Sequence, residues 1–543
     1  MGKRFRADHL DQALLLSPSL HDWLPEGHWA RFIADAIGEI DLGSIYGSYK
    51  KDGRGLAAYQ PALLVRLPLY GYCVGLVSSR KRERATHEDV AFRYLSGDAH
   101  PDRDTIASFR KRHLEALAGL FVQALRLCRK AGLVKLGPVS IDGTKSKANA
   151  GKHQAMSYDR MDETERRLRK EVEELLRRAE ETDAAEDAQY GKGQRGDELP
   201  PELARRESRL KKIREAKAEL EQEAERQRAE AQAKIAERRR REAQTGKRAG
   251  GRDPHVPDPE QVAPDAKAQR NFTDPDSRIM PDGAGKGSFI QAYHAWAAVD
   301  AQAQAIVAAD LTQQTDTQQT NDSRQLLPTI ERVPANMGRK PEAVSADAGY
   351  WSQHNVTDER AAGIDLHVAT ERRQHAEAVE LAHGSPPEDA SVKQAMQHKL
   401  RTAAGQAIYK MRKAIVEPVF GQIKERRGFR RFSFRGLRNA GWEWKPICLT
   451  ANIRKLFRSG WSPQTARSRR KGHSATPSEH FPKALAGPRA ALQKSPAMPL
   501  DFCYLYKACR PYLRQTPSQS DNPCKSLDAK GYPALAEAPA PRI

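Results

Sequence analysis

The chain has 543 residues, with 91 Lys plus Arg against 70 Asp plus Glu, for a formal net charge of +21. At roughly 100–200 residues per domain the length allows about three domains, and the positive excess points to a polyanionic partner, nucleic acid first. With 39% apolar and 30% charged residues and a mean hydropathy of −0.74, the composition is too polar for a membrane-embedded protein yet sufficient for a real core. The most apolar stretch, residues 61–77, is interrupted by Arg66 and by Gly and Pro, and is too short to span a bilayer. The N-terminal segment is basic without a following apolar core, so no secretory signal is expected. The six cysteines are scattered and form no CxxC pair, which predicts neither a zinc ribbon nor a disulfide framework and makes a reducing, cytoplasmic, nucleoid-associated setting the default.

Residues 1–132 read as helical. Pro61 suits the first turn of a helix, with Leu63, Leu64, Leu67, Tyr70 and Leu76 at apolar spacing. A second helix is expected from an N-cap at Asp104, through Ile106, Phe109, Leu117, Leu120, Ala124 and Leu127, to a stop at Gly132. Between and within them Arg80, Lys81, Arg82, Arg84, Arg110, Lys111 and Arg112 are dense, with Phe92, Tyr94 and Phe109 interleaved. Such a run is either a solvated face or a set of phosphate contacts.

Residues 138–141 form a short apolar run ending in Asp142 and Gly143, which predicts a buried strand presenting a carboxylate at its end. Residues 158–245 are highly charged with a narrow apolar seam: Leu168, Val172 and Leu175, then Leu203, Leu210, Ile213 and Leu220 beyond a Gly- and Pro-rich break. A helical hairpin or coiled coil inserted into a domain is the simplest reading, with its turn within residues 191–201. It could contact DNA, join a second protomer or serve as a spacer. A β-hairpin turning at residues 300–302 follows Phe289. Next come a helix near residues 323–327, a strand ending at Asp347, another strand at residues 364–370, and helices over 394–424 and 437–457. The tail from residue 462 has little periodicity and many prolines, and reads as disordered.

Asp142 and Asp347 at strand ends and Glu417 beside a helix could converge at one sheet edge. There they could bind Mg2+ (or Mn2+), as two ions acting on a phosphodiester. Taken singly, each has a plainer reading: a turn for Asp142 and Asp347, a surface helix position for Glu417. Glu417 precedes Pro418, which predicts a helix start or kink there. Beside Glu417 lie Lys424, Arg426, Arg427, Arg430, Arg431 and Arg435 with Phe429, Phe432 and Phe434 between them, a pattern suited to nucleic acid. Two separate basic surfaces are therefore expected, one at residues 80–84 and 110–112 and one at residues 424–435.

At these residues the chain resembles DDE transposases of bacterial insertion sequences, and is most similar to the insertion sequence eleven-eighty-two group. The resemblance rests on DWLPEGHWARFI, LYGYCVGLVSSRKRERA, HPDRDTIASFRKRH, SIDGTKSKANA, NFTDPDSRIM, QAYHAWAAVDAQAQAIVAADLT, SADAGYWS and VEPVFGQIKERRGFRRFSFRGL with EWKPICLTANIRKLF, in that order over residues 6–458. It implies an α/β RNase H-like catalytic domain, a mixed sheet with flanking helices, together with an N-terminal all-helical DNA-binding domain and a helical-hairpin insertion. The implied layout is 1–132 for the helical domain, 133–157 for the first catalytic strand, 158–265 for the insertion and its loop, 266–461 for the rest of the catalytic domain and 462–543 for the tail. By motif it implies Asp142, Asp347 and Glu417 as the catalytic, metal-holding carboxylates, supported by Tyr409 and Arg412, with Lys424 completing the pattern. The gap from Arg412 to Glu417 is one residue longer than the family's usual pattern, which leaves Lys413 as an alternative to Arg412. The implied partners are double-stranded DNA, as element inverted repeats and target, and further copies of the chain in a homodimer or larger assembly. A decayed, non-catalytic DNA-binding copy is the alternative. Pro68 falls where a helix is expected, at an ordinary cost of about 3 kcal/mol, and the tail matches nothing in the family.

Overall fold

A computed structural model describes residues 19–49, 57–190, 201–246, 264–282, 288–313, 323–371 and 380–462. The tail from residue 463 and the hairpin turn at residues 191–200, both singled out above, lie outside the described residues.

The N-terminal region is helical: α1 (Trp29–Gly38), α2 (Gly43–Tyr46), α3 (Pro61–Val74), α4 (Ser79–Glu88), α5 (Val90–Ser96), α6 (Arg103–Arg112) and α7 (Leu114–Lys130). Helix α3 starts at Pro61 as expected and continues through Pro68, which is itself buried. The helix is buried on nearly every side by Leu63, Leu64, Val65, Leu67, Leu69, Tyr70 and Tyr72, so tertiary packing overrides the local penalty of the proline. The expected second helix is two. Asp102, not Asp104, caps α6, accepting from the backbone N–H groups of Asp104 and Thr105 at 2.8 Å each. The chain then breaks at His113 before α7.

Strand β1 (Pro138–Lys147) follows, then β2 (Ala155–Ser157), α8 (Tyr158–Tyr190), α9 (Pro201–Thr245), β3 (Gln269–Asn271), β4 (Arg278–Pro281), β5 (Phe289–Asp300) and β6 (Ile306–Thr312). After them come α10 (Ser323–Met337), β7 (Ala343–Ala346), α11 (Gln353–Thr357), β8 (Asp365–Val368), α12 (Val392–Arg401), α13 (Ala403–Gly421) and α14 (Leu437–Arg458). The main sheet has the order β4-β5-β1-β7-β8, with β6 also pairing β5. It is mixed: β1 pairs β7 and β7 pairs β8 in parallel, while β5 pairs β1, β4 and β6 antiparallel. Strands β5 and β6 are runs of Ala and Val buried on both faces, as a sheet covered by helices on both sides requires. Arg412 of α13 reaches Asp142 on one face. Arg332 of α10 lies over the Trp296 ring, and Trp296 pairs Gly143, so α10 covers the other face. This mixed sheet with flanking helices is compatible with the RNase H-like fold. One continuous core joins the sheet to the N-terminal helices, and α14 packs against both α7 and α3.

Helices α8 and α9 lie side by side. Lys217 pairs Asp162 at 2.6 Å, Arg214 pairs Glu165 at 2.9 Å and Arg206 pairs Glu171 at 3.0 Å, an order that only an antiparallel pair allows. Their seam is a small separate core of Met161, Leu168, Leu210, Ile213, Ala216 and Leu220. Val172 and Leu175 are half-buried, and the side chain of Leu203 lies outside the described residues. At the root, β2 and β3 form a two-stranded ribbon. Asp274 and Asp276, just beyond β3, accept from the backbone N–H groups of Gly436 at 3.0 Å and Leu437 at 2.8 Å. They thereby satisfy donors at the start of α14 from a distant part of the chain.

Lys455 on α14 is half-buried, but its Nζ is withdrawn from water and finds no hydrogen-bond partner among the described residues. Burial pulls its pKa from 10.5 to about 7. The unfolded chain therefore holds a proton on Lys455 that the folded chain releases between those two values. Stability should rise with pH across that window, with the burial penalty complete below about pH 7. Lys455→Met is expected to stabilise the fold at neutral pH by on the order of 3 kcal/mol and to flatten that pH dependence. Urea unfolding midpoints at several pH values check this; an unchanged midpoint would contradict it.

Candidate active site and nucleic-acid interface

The site begins with strand register. Ser140 of β1 pairs Ser345 of β7, and their hydroxyls are 2.8 Å apart. Two residues further along the chain from each serine come Asp142 and Asp347. Asp142 thus lies within β1 two residues past the last β1–β7 pair, and Asp347 is the first residue beyond β7. Asp347 caps the next turn, accepting from the Gly349 N–H at 3.0 Å. Asp142 does not end its strand, as the short apolar run predicts. Beyond it β1 continues to Lys147, because residues 143–147 keep pairing with β5. Nor is Asp142–Gly143 a turn. A Cβ at Gly143 would lie 2.3 Å from the His294 ring, so the glycine admits an imidazole against the strand on the face opposite Asp142.

Helix α13 packs over this part of the sheet. It is set off from α12 by Thr402, which accepts from the Gly405 N–H at 3.1 Å; any side chain at Gly405 would strike the Lys399 carbonyl at 2.0 Å. The buried stripe of α13 is Gly405, Arg412, Ile415, Val416, Val419 and Phe420. Arg412 is 7% exposed, donates Nη1 to Asp142 Oδ2 at 3.0 Å and lies over the Tyr409 ring. Glu417 is exposed on the same helix, off that stripe. No helix start falls at Pro418, which lies inside α13. The apolar stripe carries α13 through Pro418 to Gly421, and a π-turn, Gln422–Arg426, follows. Lys424 in that turn donates to the Lys145 carbonyl at 2.6 Å, and burial holds its pKa below the ordinary lysine value.

The expected metal ligands are all carboxylate oxygens, the donor type that Mg2+ and Mn2+ prefer. Among the described residues, however, no three His, Cys, Asp or Glu side chains are gathered closely enough to hold an ion, and one oxygen of Asp142 is taken by Arg412. As placed, the three carboxylates do not fit a loaded metal centre.

The basic residues divide sharply. Arg80, Lys81, Arg84, Lys111, Arg112, Arg430 and Arg431 are exposed. Arg84 is paired with Glu88 and Arg430 with Glu425. Arg82 and Arg110, expected on the DNA surface, are buried at 0% and 5% exposure. Arg82 stacks over Tyr72 and donates to the Leu76 carbonyl at 2.8 Å, and burial holds its pKa below the ordinary range. Arg110 donates to the Tyr72 hydroxyl at 2.6 Å and to Glu443 Oε1 at 3.1 Å. Neither guanidinium can reach a phosphate. Phe429 and Phe432 likewise sit in the core and cannot stack on bases. Arg427 is buried too, donating to Thr450 at 2.6 Å.

Glu443, which sequence reasoning missed, organises this region. Its Oε2 accepts from the Ser433 and Phe434 N–H groups at 2.7 and 3.2 Å, while Oε1 takes Arg110 and Tyr72. The available signal was one acid among the aromatic and apolar residues Ala440, Trp442, Trp444 and Ile447 of α14. Residues 430–432 extend along the end of β1. The Lys147 N–H donates to the Arg430 carbonyl, and the Phe432 N–H to that of Lys147, both at 2.9 Å. Arg431 therefore lies level with Lys147, about 17 Å along the strand from Asp142 at about 3.4 Å per residue, not beside the carboxylates. A groove of about 570 Å³ runs between α4, α6 and this segment, lined by Ser78, Ser108, Lys111, Arg431, Ser433 and Phe434 among others. One exposed cation from each expected basic surface, Lys111 and Arg431, lines this groove.

Residues 18–112 match the family described as transposase domain (DUF772), and residues 369–457 match the family described as transposase DDE domain. These two matches support an insertion-sequence transposase of the DDE class and a role in DNA transposition. No curated protein and no solved structure matches the chain.

Proposed function

We propose that the chain is a transposase of the insertion sequence eleven-eighty-two group that binds the ends of its element, hydrolyses one strand at each end and joins the freed 3′-OH to target DNA. The observation that supports this reading is the parallel register of β1 with β7 through the Ser140–Ser345 pair, with Asp142 and Asp347 each two residues further along the chain. Glu417, on the helix that covers those strands, supplies the third carboxylate. The reading includes dependence on Mg2+ or Mn2+, probed as an all-or-none requirement. It requires Arg412 to let go of Asp142 and Glu417 to close on the pair when DNA binds. The groove between α6 and the segment after α13 takes the DNA backbone, with Lys111 and Arg431 as phosphate contacts and Arg80, Lys81 and Arg112 around it. Two ends must be held together for joining, which calls for at least two copies of the chain.

A second reading, a non-catalytic DNA-binding copy, draws on the Arg412–Asp142 pair and the ungathered carboxylates. Strand joining separates the two readings, whereas DNA binding alone does not. For the groove, Lys111→Gln combined with Arg431→Gln is expected to weaken binding to element-end duplex. It should also lower the slope of log K against log salt by about two units, since each phosphate contact contributes about 0.9. A slope equal to wild type would remove the groove from the DNA interface.

A further inference from the structure

At the root of the helical arm lies a second groove, of about 670 Å³, whose lining carries His153, Arg160, Arg205, Arg209 and Lys212 and no acidic side chain. Arg160 comes from the start of α8 and His153 from the turn before β2. Arg205, Arg209 and Lys212 follow one another at i, i+4 and i+7 along a single face of α9. All five are exposed.

Four of them have no carboxylate partner among the described residues, as is also true of the exposed Lys170 and Lys211 elsewhere on the arm. The cations of the same two helices that face the seam are matched to carboxylates: Arg206 to Glu171, Arg214 to Glu165 and Lys217 to Asp162. Cations on the outer side of α8 are matched within the helix, Arg167 to Glu171 and Arg169 to Glu173. Arg160, Arg205, Arg209 and Lys212 make no ion pair among the described residues, although α9 is rich in Glu. Like charges at i, i+4 destabilise a helix. The bare groove is therefore an unfavourable surface that a polyanion would relieve.

We infer that this groove at the root of the arm is a binding site for the phosphate backbone of duplex DNA, distinct from the groove beside α6. The inference rests on the transposase reading, which supplies the DNA. From Arg205 to Lys212 the helix rises about 10.5 Å at about 1.5 Å per residue. Each DNA strand carries one phosphate per about 3.4 Å of axis, so the three cations span about three phosphates. Arg160 and His153 close the groove from the opposite wall. Contacts of this kind fix position and register without reading sequence. The arm thereby gains a role in holding DNA, while its apolar seam is spent on packing α8 against α9.

The test uses the full chain, a short fluorescent duplex of arbitrary sequence, and anisotropy titrations between about 50 and 200 mM salt. Arg205→Gln, Arg209→Gln and Lys212→Gln combined should lower the salt slope by about two to three units, at about 0.9 per lost contact. A control with Arg166→Gln, Arg167→Gln and Arg169→Gln removes the same formal charge from α8 outside the groove and should leave the slope near wild type. Circular dichroism should be unchanged for both, because every substituted side chain is exposed. An unaltered slope in the groove variant overturns the inference, and so does an equal fall in the control, which would make the effect one of net charge. Both of those results leave the transposase reading standing. A wild-type chain that binds no duplex at the lowest salt overturns that reading and this inference together.

Discussion

Asp142→Asn and Asp347→Asn are each expected to lower DNA cleavage by about 10³-fold or more, while binding to element-end duplex stays within about twofold of wild type. Asp142 lies in β1 and Asp347 directly follows the parallel β7, each two residues beyond the Ser140–Ser345 pair. Each amide keeps the size of the carboxylate and removes its charge. A loss of about 10³ in rate corresponds to about 4 kcal/mol at about 1.36 kcal/mol per tenfold, a reasonable share for one charged group at the reacting centre. The lost charge of Asp142 should spare binding, because Arg431 of the groove stands about 17 Å further along β1 at about 3.4 Å per residue. Glu417→Gln should behave as the aspartate variants do if α13 brings Glu417 to the pair. Gel assays of nicking, alongside anisotropy for binding, check both halves. Parallel loss of binding and cleavage would assign these residues to the fold.

Glu443→Ala should be strongly destabilising, at about 3–5 kcal/mol, the usual range when one partner of a buried ion pair is removed. Glu443 is 1% exposed and accepts four hydrogen bonds, from Arg110, Tyr72, Ser433 and Phe434. Its removal leaves the Arg110 guanidinium buried without its carboxylate and strands two backbone N–H groups. Glu443→Gln keeps the shape and part of the bonding and should lose less, about 1–3 kcal/mol. The effect should extend to function, because Ser433 and Phe434 line the groove beside α6 and Glu443 fixes their backbone. Urea unfolding measures the first effect and the DNA salt slope the second. A loss below about 1 kcal/mol for Glu443→Ala would show that the pair is dispensable.

Local signals in the sequence predict several elements well. Pro61 marks the start of α3, the two β-prone runs after Phe289 mark the β5–β6 hairpin, and the narrow seam from Leu168 to Leu220 marks α8 against α9. Asp347 just past β7 was legible to within one residue because a short apolar run stops there. What failed depended on distant partners. Arg82 and Arg110 look like Arg80 and Lys111 in sequence, but Tyr72 and Glu443 draw the first two into the core, the latter across 333 residues. Phe429 and Phe432 look like stacking platforms for the same reason. The bias of a residue before proline predicted a break at Glu417. The buried stripe of Val416, Val419 and Phe420 carries the helix past it. Strand β1 outruns its apolar segment because β5, about 150 residues on, continues to supply hydrogen-bonding partners. The groove at the root of the arm was hidden because unpaired and paired arginines are indistinguishable until the two helices are laid side by side.

Strand joining tests the central claim most directly. The full chain would be incubated with Mn2+, a labelled duplex ending in the inverted repeat found in the DNA flanking its gene, and a supercoiled plasmid as target. The account predicts labelled plasmid with the wild-type chain, none with Asp347→Asn, and none for either when the metal is chelated. Labelled plasmid from Asp347→Asn at the wild-type level, or end-specific binding by the wild-type chain with no joined product, would contradict it.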